Sequence, residues 1–125
     1  MVLGADTAVV VDDAILGKPK DDADAASMLR RLSGRSHEVL TGLSLRTAAM
    51  EVNRVEVTTV QFARLSHADI AWYVGSGEGR DKAGGYAIQG LAARFIPRID
   101  GSYSNVVGLP IAAVHELVAE IASRP

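Results

Sequence analysis

Four charged side chains in this sequence sit where charge would be useful to a ligand. Asp6 comes after the apolar pair Val2-Leu3 and the small residues Gly4-Ala5. A carboxylate just beyond a strand end is a common place for a base or a metal ligand in α/β proteins; the alternative is a turn or capping aspartate. Lys18 stands in Leu16-Gly17-Lys18-Pro19, where Gly17 admits close backbone approach and Pro19 holds the lysine extended, an arrangement suited to a phosphate or simply a solvated loop. Asp81 and Lys82 open Asp81-Lys82-Ala83-Gly84-Gly85-Tyr86, which could set backbone N–H groups and an ammonium around phosphate oxygens, with the carboxylate on a hard cation. The order is not that of a P-loop, and the plain alternative is a surface ion pair. Gln89 carries an amide able both to donate and to accept, which fits the edge of a base.

The rest of the composition narrows the field. The chain has 125 residues, 48% hydrophobic and 22% charged, as expected of one globular domain over residues 1–125. Net charge is −2 with scattered basic residues, which argues against a duplex nucleic-acid binder but not against a single nucleotide. There is no cysteine, so disulfides and thiolate chemistry are excluded. His37, His67 and His115 lack ligand spacing for zinc and read as structural or surface residues. No apolar run approaches the roughly 20 residues of a membrane span, and the opening residues do not read as a signal peptide. A cytoplasmic protein without membrane attachment is the expectation.

Elements must bring these residues together. Val2-Leu3 and Val9-Val10-Val11 read as strand, with a turn at Asp12-Asp13 before Ile15-Leu16. Ala25, Met28, Leu29 and Leu32 form one stripe and predict a helix over 21–33, with acidic residues in its first turn, Arg30 and Arg31 in its last, and Gly34 to end it. Alternation at Val39, Thr41, Leu43 and Leu45 predicts a strand, paired antiparallel with a second over 52–64. Ser66 and Asp69 open a short helix in which Trp72 and Tyr73 read as packing residues. Six glycines between 75 and 90 mark a loop region. A strand over 94–99, a polar loop at Ser102-Tyr103-Ser104-Asn105 and a last helix from Pro110, with Val114, Leu117, Val118 and Ile121 on its apolar face, complete an α/β domain with a mixed sheet.

Taken in order, these segments resemble the Maf family, also called septum formation proteins. The resemblance is carried by Gly4-Ala5-Asp6-Thr7, Leu16-Gly17-Lys18-Pro19, Met28 to His37, Asp81 to Tyr86, Ile88-Gln89-Gly90 and Gly101 to Pro110. It implies a Maf/ITPase-like α/β fold, a mixed twisted sheet with flanking helices. It implies hydrolysis of nucleoside triphosphates to monophosphate and pyrophosphate with Mg²⁺ or Mn²⁺. Asp6 would then be the proton acceptor, Asp6 and Asp81 the metal-organising carboxylates, and Lys18 and Lys82 the phosphate ligands. Thr7 and Gln89 are similar to the branch acting on dTTP and UTP. Family members also carry a preceding strand, a Ser-x-Ser-Pro-Arg-Arg loop, a glutamate and a lysine-bearing helix, none of which is in these 125 residues. The chain is therefore expected to represent the C-terminal two-thirds of the fold, to hydrolyse triphosphates weakly or not at all by itself, and to form a homodimer through exposed core surface. A non-catalytic nucleotide-binding remnant or a self-associating fragment is the alternative.

Overall fold

The structure, a computed structural model, describes residues 1–123. Strand β1 (Val2–Val11) turns at Asp12 and Asp13, at φ 51° and 61°, into β2 (Ala14–Leu16). Aspartate tolerates this left-handed backbone better than most residues. Arg35 donates from both Nη atoms to the Asp12 carboxylate and ties the turn to the next strand. Helix α1 (Asp22–Leu32) follows, with Asp21 as its N-cap: the side chain accepts the Asp24 backbone N–H at 2.7 Å. Leu29 and Leu32 on its stripe are fully buried, each contributing about 1.5–3 kcal/mol. The chain leaves through Ser33 and Gly34, the latter at φ +70°.

Strands β3 (Ser36–Arg46) and β4 (Glu51–Gln61) form the long hairpin. Helix α2 (His67–Ser76) begins with the capping box expected of Ser66 and Asp69. Two 3₁₀ turns, Ala83–Gly85 and Leu91–Phe95, precede β5 (Arg98–Asp100), α3 (Tyr103–Val107) and α4 (Ile111–Ala122). No helix among the described residues is long and apolar enough to cross a membrane.

The five strands lie in the order β2-β1-β3-β4-β5. The α/β class is as expected, but every pairing is antiparallel rather than mixed. β1–β2 and β3–β4 are hairpins, and β3 meets β1 in the opposite sense after α1, so no parallel crossover arises. Val2-Leu3 and Val9-Val10-Val11 belong to one ten-residue strand; Gly4 and Ala5, which read as a break, are carried through by pairing with Ser44 and Leu43. Of the segment expected as strand over 94–99 only Arg98 and Ile99 pair, because Leu91–Phe95 coils into the 3₁₀ turn.

Two apolar clusters share one face of the sheet. The larger packs α1 and α2 on Val9, Val39 and Val60, with Phe62, Tyr73, Tyr86 and Phe95. The smaller packs Ala113, Leu117 and Ile121 of α4 on Leu43, Leu45 and Val52. Val118, expected on that apolar face, is 38% exposed, and Ala113, one turn before Leu117, is buried instead. Along β3 the buried run Val39, Thr41, Leu43 thus passes from one cluster to the other, and polar Thr41 marks the seam.

Candidate functional site

A cleft of about 240 Å³ opens along residues 5–7 of β1, beside Val9 and Val39 of the larger cluster. Its lining includes Asp6, Thr7, Lys18, Asp81, Lys82 and Gln89, so all six residues singled out from the sequence are brought to one place. Asp6 is not beyond a strand end, as expected, but within β1, opposite Gly42 of β3. Thr7 stands next to it, opposite Thr41, so the two side chains leave β1 on opposite faces, and the cleft touches both residues along the strand edge that β2 does not cover. The Thr7 hydroxyl donates to the Gly108 carbonyl at 3.2 Å, and the Thr41 hydroxyl lies 2.9 Å from it. One hydroxyl has one proton, so Thr41 is the donor in the second contact. Thr7 therefore presents shape to the cleft rather than a free donor.

The two lysine loops are joined by backbone: Gly84 N–H donates to the Gly17 carbonyl at 3.1 Å. That bond places the residue before Lys18 beside the turn that follows Lys82. The turn is compact because Gly79 has no side chain; a Cβ there would lie 1.9 Å from the Gly85 carbonyl oxygen. The side chains of Asp6, Lys18, Asp81, Lys82 and Gln89 make no hydrogen bond or ion pair with the described residues, whereas Arg35, Arg46, Arg54 and Arg80 are each paired with a carboxylate. Asp81 and Lys82 thus do not form the surface pair that was their alternative reading. Two ammonium groups and two carboxylates without protein partners in one cleft can receive an anion together with a cation.

Two parts of the wall escaped sequence reading. Tyr86 lines the cleft while its Oη lies 2.6 Å from Nε2 of His37, a residue only 3% exposed. Burial pushes His37 down to about 4, so its imidazole is neutral at neutral pH. Val106, Val107 and Gly108 form a second wall at the end of α3. That helix was expected as a polar loop. Ser102 instead caps it, and Asn105, with no exposed surface, donates through Nδ2 to the Val39 carbonyl at 3.1 Å and to Thr58 Oγ1 at 3.0 Å. Its Ser-x-x-Asn spacing was visible, but its burial was not. Trp72, expected to pack, meets the buried Phe95 edge-on with ring centres 6.3 Å apart, while staying 45% exposed with the Arg94 guanidinium 4.3 Å from its ring centre.

Asn105→Ala is expected to destabilise the fold by about 1–3 kcal/mol, because buried hydrogen-bonding groups on β3 and β4 lose their partner. Urea unfolding measures it, and a change within about 0.5 kcal/mol, the range of an ordinary surface substitution, would contradict the assigned role.

The cleft of this α/β domain has the charged groups to hold a small anion. The chain belongs to the family described as Maf-like protein, which it matches over residues 1–121. It is 54% identical over 122 residues to the dTTP/UTP pyrophosphatase of Anaeromyxobacter dehalogenans (strain 2CP-C), covering 94% of this chain and 63% of that protein. It is 54% identical to the dTTP/UTP pyrophosphatase of Symbiobacterium thermophilum over 120 residues, covering 96% of this chain and 62% of the relative. The same identity holds to that of Shewanella oneidensis over 119 residues, 95% and 61%. The chain thus spans about three-fifths of the length of these relatives.

Proposed function

We propose that the chain carries the substrate cleft of a nucleoside triphosphate pyrophosphatase acting on dTTP and UTP. The observation that carries the reading is the convergence of Asp6, Lys18, Asp81, Lys82 and Gln89, without side-chain partners among the described residues, on one cleft. The names of the relatives support the substrate class.

In this reading Lys18 and Lys82 hold the phosphates, and Gln89 meets the pyrimidine edge beside Thr7. Asp6 accepts the proton of the attacking water. The anhydride bond between the α and β phosphorus breaks, the electron pair leaves on pyrophosphate, and the two ammonium groups offset the charge that develops there. Asp6 and Asp81 would hold a divalent cation, Mg²⁺ or Mn²⁺. Two carboxylates completed by phosphate oxygens and water fit the way Mg²⁺ is commonly bound. The described residues offer no group of three or more acidic, histidine or cysteine ligands that would make an all-protein site. When bound, the cation would add to the neutralisation of phosphate charge. The reading further takes residues 1–125 as one cytoplasmic domain that pairs with a second copy. Exposed Ile15, Val55 and Val57 on one sheet face support the pairing.

Equilibrium titration with dTTP, UTP, dATP and dGTP in the presence of Mg²⁺ tests the proposal. Lys82→Ala and Lys18→Ala are each expected to weaken dTTP binding by about 1.5–3 kcal/mol, the range for a hydrogen bond to a charged group. Gln89→Ala should reduce the preference for pyrimidines by about 0.5–1.5 kcal/mol. Equal affinity for purine and pyrimidine triphosphates, or indifference to both lysines, would overturn it.

A further inference from the structure

Between the phosphate-facing turn and the second 3₁₀ turn, one tyrosine–glutamate pair holds both ends of a short segment. Tyr73, 1% exposed on α2, accepts the Ala87 backbone N–H at 3.0 Å through its Oη and donates to Glu78 Oε1 at 2.8 Å. Glu78 in turn accepts the Leu91 N–H at 2.9 Å on Oε2, and the Ala92 N–H at 3.4 Å on Oε1. Gln89 lies between those anchor points, at the centre of Ala87–Leu91, and makes no side-chain bond of its own to a described residue. The approach is close: a Cβ on Gly90 would stand 2.2 Å from Glu78 Oε2. Burial of Glu78 opposes its charge, but the Leu91 N–H, the Tyr73 hydroxyl and the Ala92 N–H outweigh it and hold the carboxyl below its usual range. The clamp is therefore ionised at neutral pH and keeps all its acceptor sites.

We propose that Tyr73 and Glu78 are positioning residues that set the base selectivity of the cleft by fixing the Ala87–Leu91 turn on which Gln89 is carried. The inference rests on the reading of the cleft as a pyrimidine-triphosphate site. Neither side chain belongs to the lining of the cleft; they act through the backbone. An amide that must meet a base edge needs a defined direction, and an exposed turn has one only if its ends are held.

Glu78→Gln replaces an acceptor facing two N–H groups with a side chain that can no longer accept on both oxygens. Tyr73→Phe removes the acceptor of the buried Ala87 N–H. Each is expected to lower the dTTP-over-dATP affinity ratio about three- to tenfold, the loss of roughly one neutral hydrogen bond, while Mg²⁺-dependent binding of inorganic pyrophosphate stays unchanged. The double variant should lose no more than the larger single effect, since both act on one turn. Amide hydrogen exchange at Ala87 and Leu91 should accelerate in both variants without any ligand. Equal weakening toward dTTP, dATP and pyrophosphate, or an unchanged ratio with an intact unaltered chain, would overturn the clamp while leaving the site reading in place. An unaltered chain without pyrimidine preference would overturn the site reading and the selectivity role together, and the exchange rates would then report whether the clamp itself holds the turn. If either variant fails to fold, Glu78→Asp, which keeps the charge but withdraws it by one methylene, takes its place in the same measurements.

Discussion

Whatever weak pyrophosphate release from dTTP the chain supports by itself, replacing Asp6 by asparagine is expected to lower it by about 10²–10⁴-fold, the usual contribution of a positioned proton acceptor. The substitution keeps volume and a polar surface. It leaves the β1–β3 ladder opposite Gly42 intact, because pairing there is through backbone. Binding of dTTP should therefore persist while turnover is lost, a fall in kcat at similar affinity. Pyrophosphate release with Mg²⁺, measured beside calorimetric binding, separates the two. Turnover unaffected by Asp6→Asn would remove Asp6 from the chemistry. A parallel loss of binding would make it chiefly a ligand of the cation that accompanies the phosphates.

Acid should unfold the protein earlier than its carboxylates require, and His37 is the reason. In the fold its value lies near 4; unfolded it returns to about 6.5. Between those limits the unfolded chain takes up a proton that the folded chain refuses, so stability is complete above about pH 6.5 and falls as the pH drops toward 4. The full loss is about 3 kcal/mol. Groups whose values are depressed, such as Glu51 below 4.5 through Ser44 and Arg46, withdraw their contribution only at still lower pH. His37→Gln, which keeps a polar atom for Tyr86, should flatten the stability curve between pH 6.5 and 4 relative to the unaltered chain. Urea unfolding at several pH values reads the slope directly, and identical slopes in both proteins would refute the assignment. Because Tyr86 lines the cleft, the same acid window should loosen its wall before global unfolding.

Much of this was legible without coordinates where the cause is local. The stripe on α1, the alternation along β3 and the Ser66–Asp69 capping box each depend on residues a few positions apart, and each is found. The residue types at Asp6, Lys18, Asp81, Lys82 and Gln89 were compatible with an anion site but each had a plain alternative, and it was the ordered segments around them that pointed to the family. What only the tertiary structure decided is everything that depends on distant partners. Gly4-Ala5 looks like a strand break until Ser44 and Leu43 pair with it. Asn105 looks like loop until Thr58 and the Val39 carbonyl bury it. Val118 and Ala113 are equally apolar by type, and the docking angle of α4 on the sheet decides which is covered. Glu78 carries no signal of its own, because its role is to accept N–H groups 13 and 14 residues away. Periodicity records which face of an element avoids water, since that is a property of neighbours along the chain. It does not record what the face meets, because that is set by the folded positions of residues far apart in sequence.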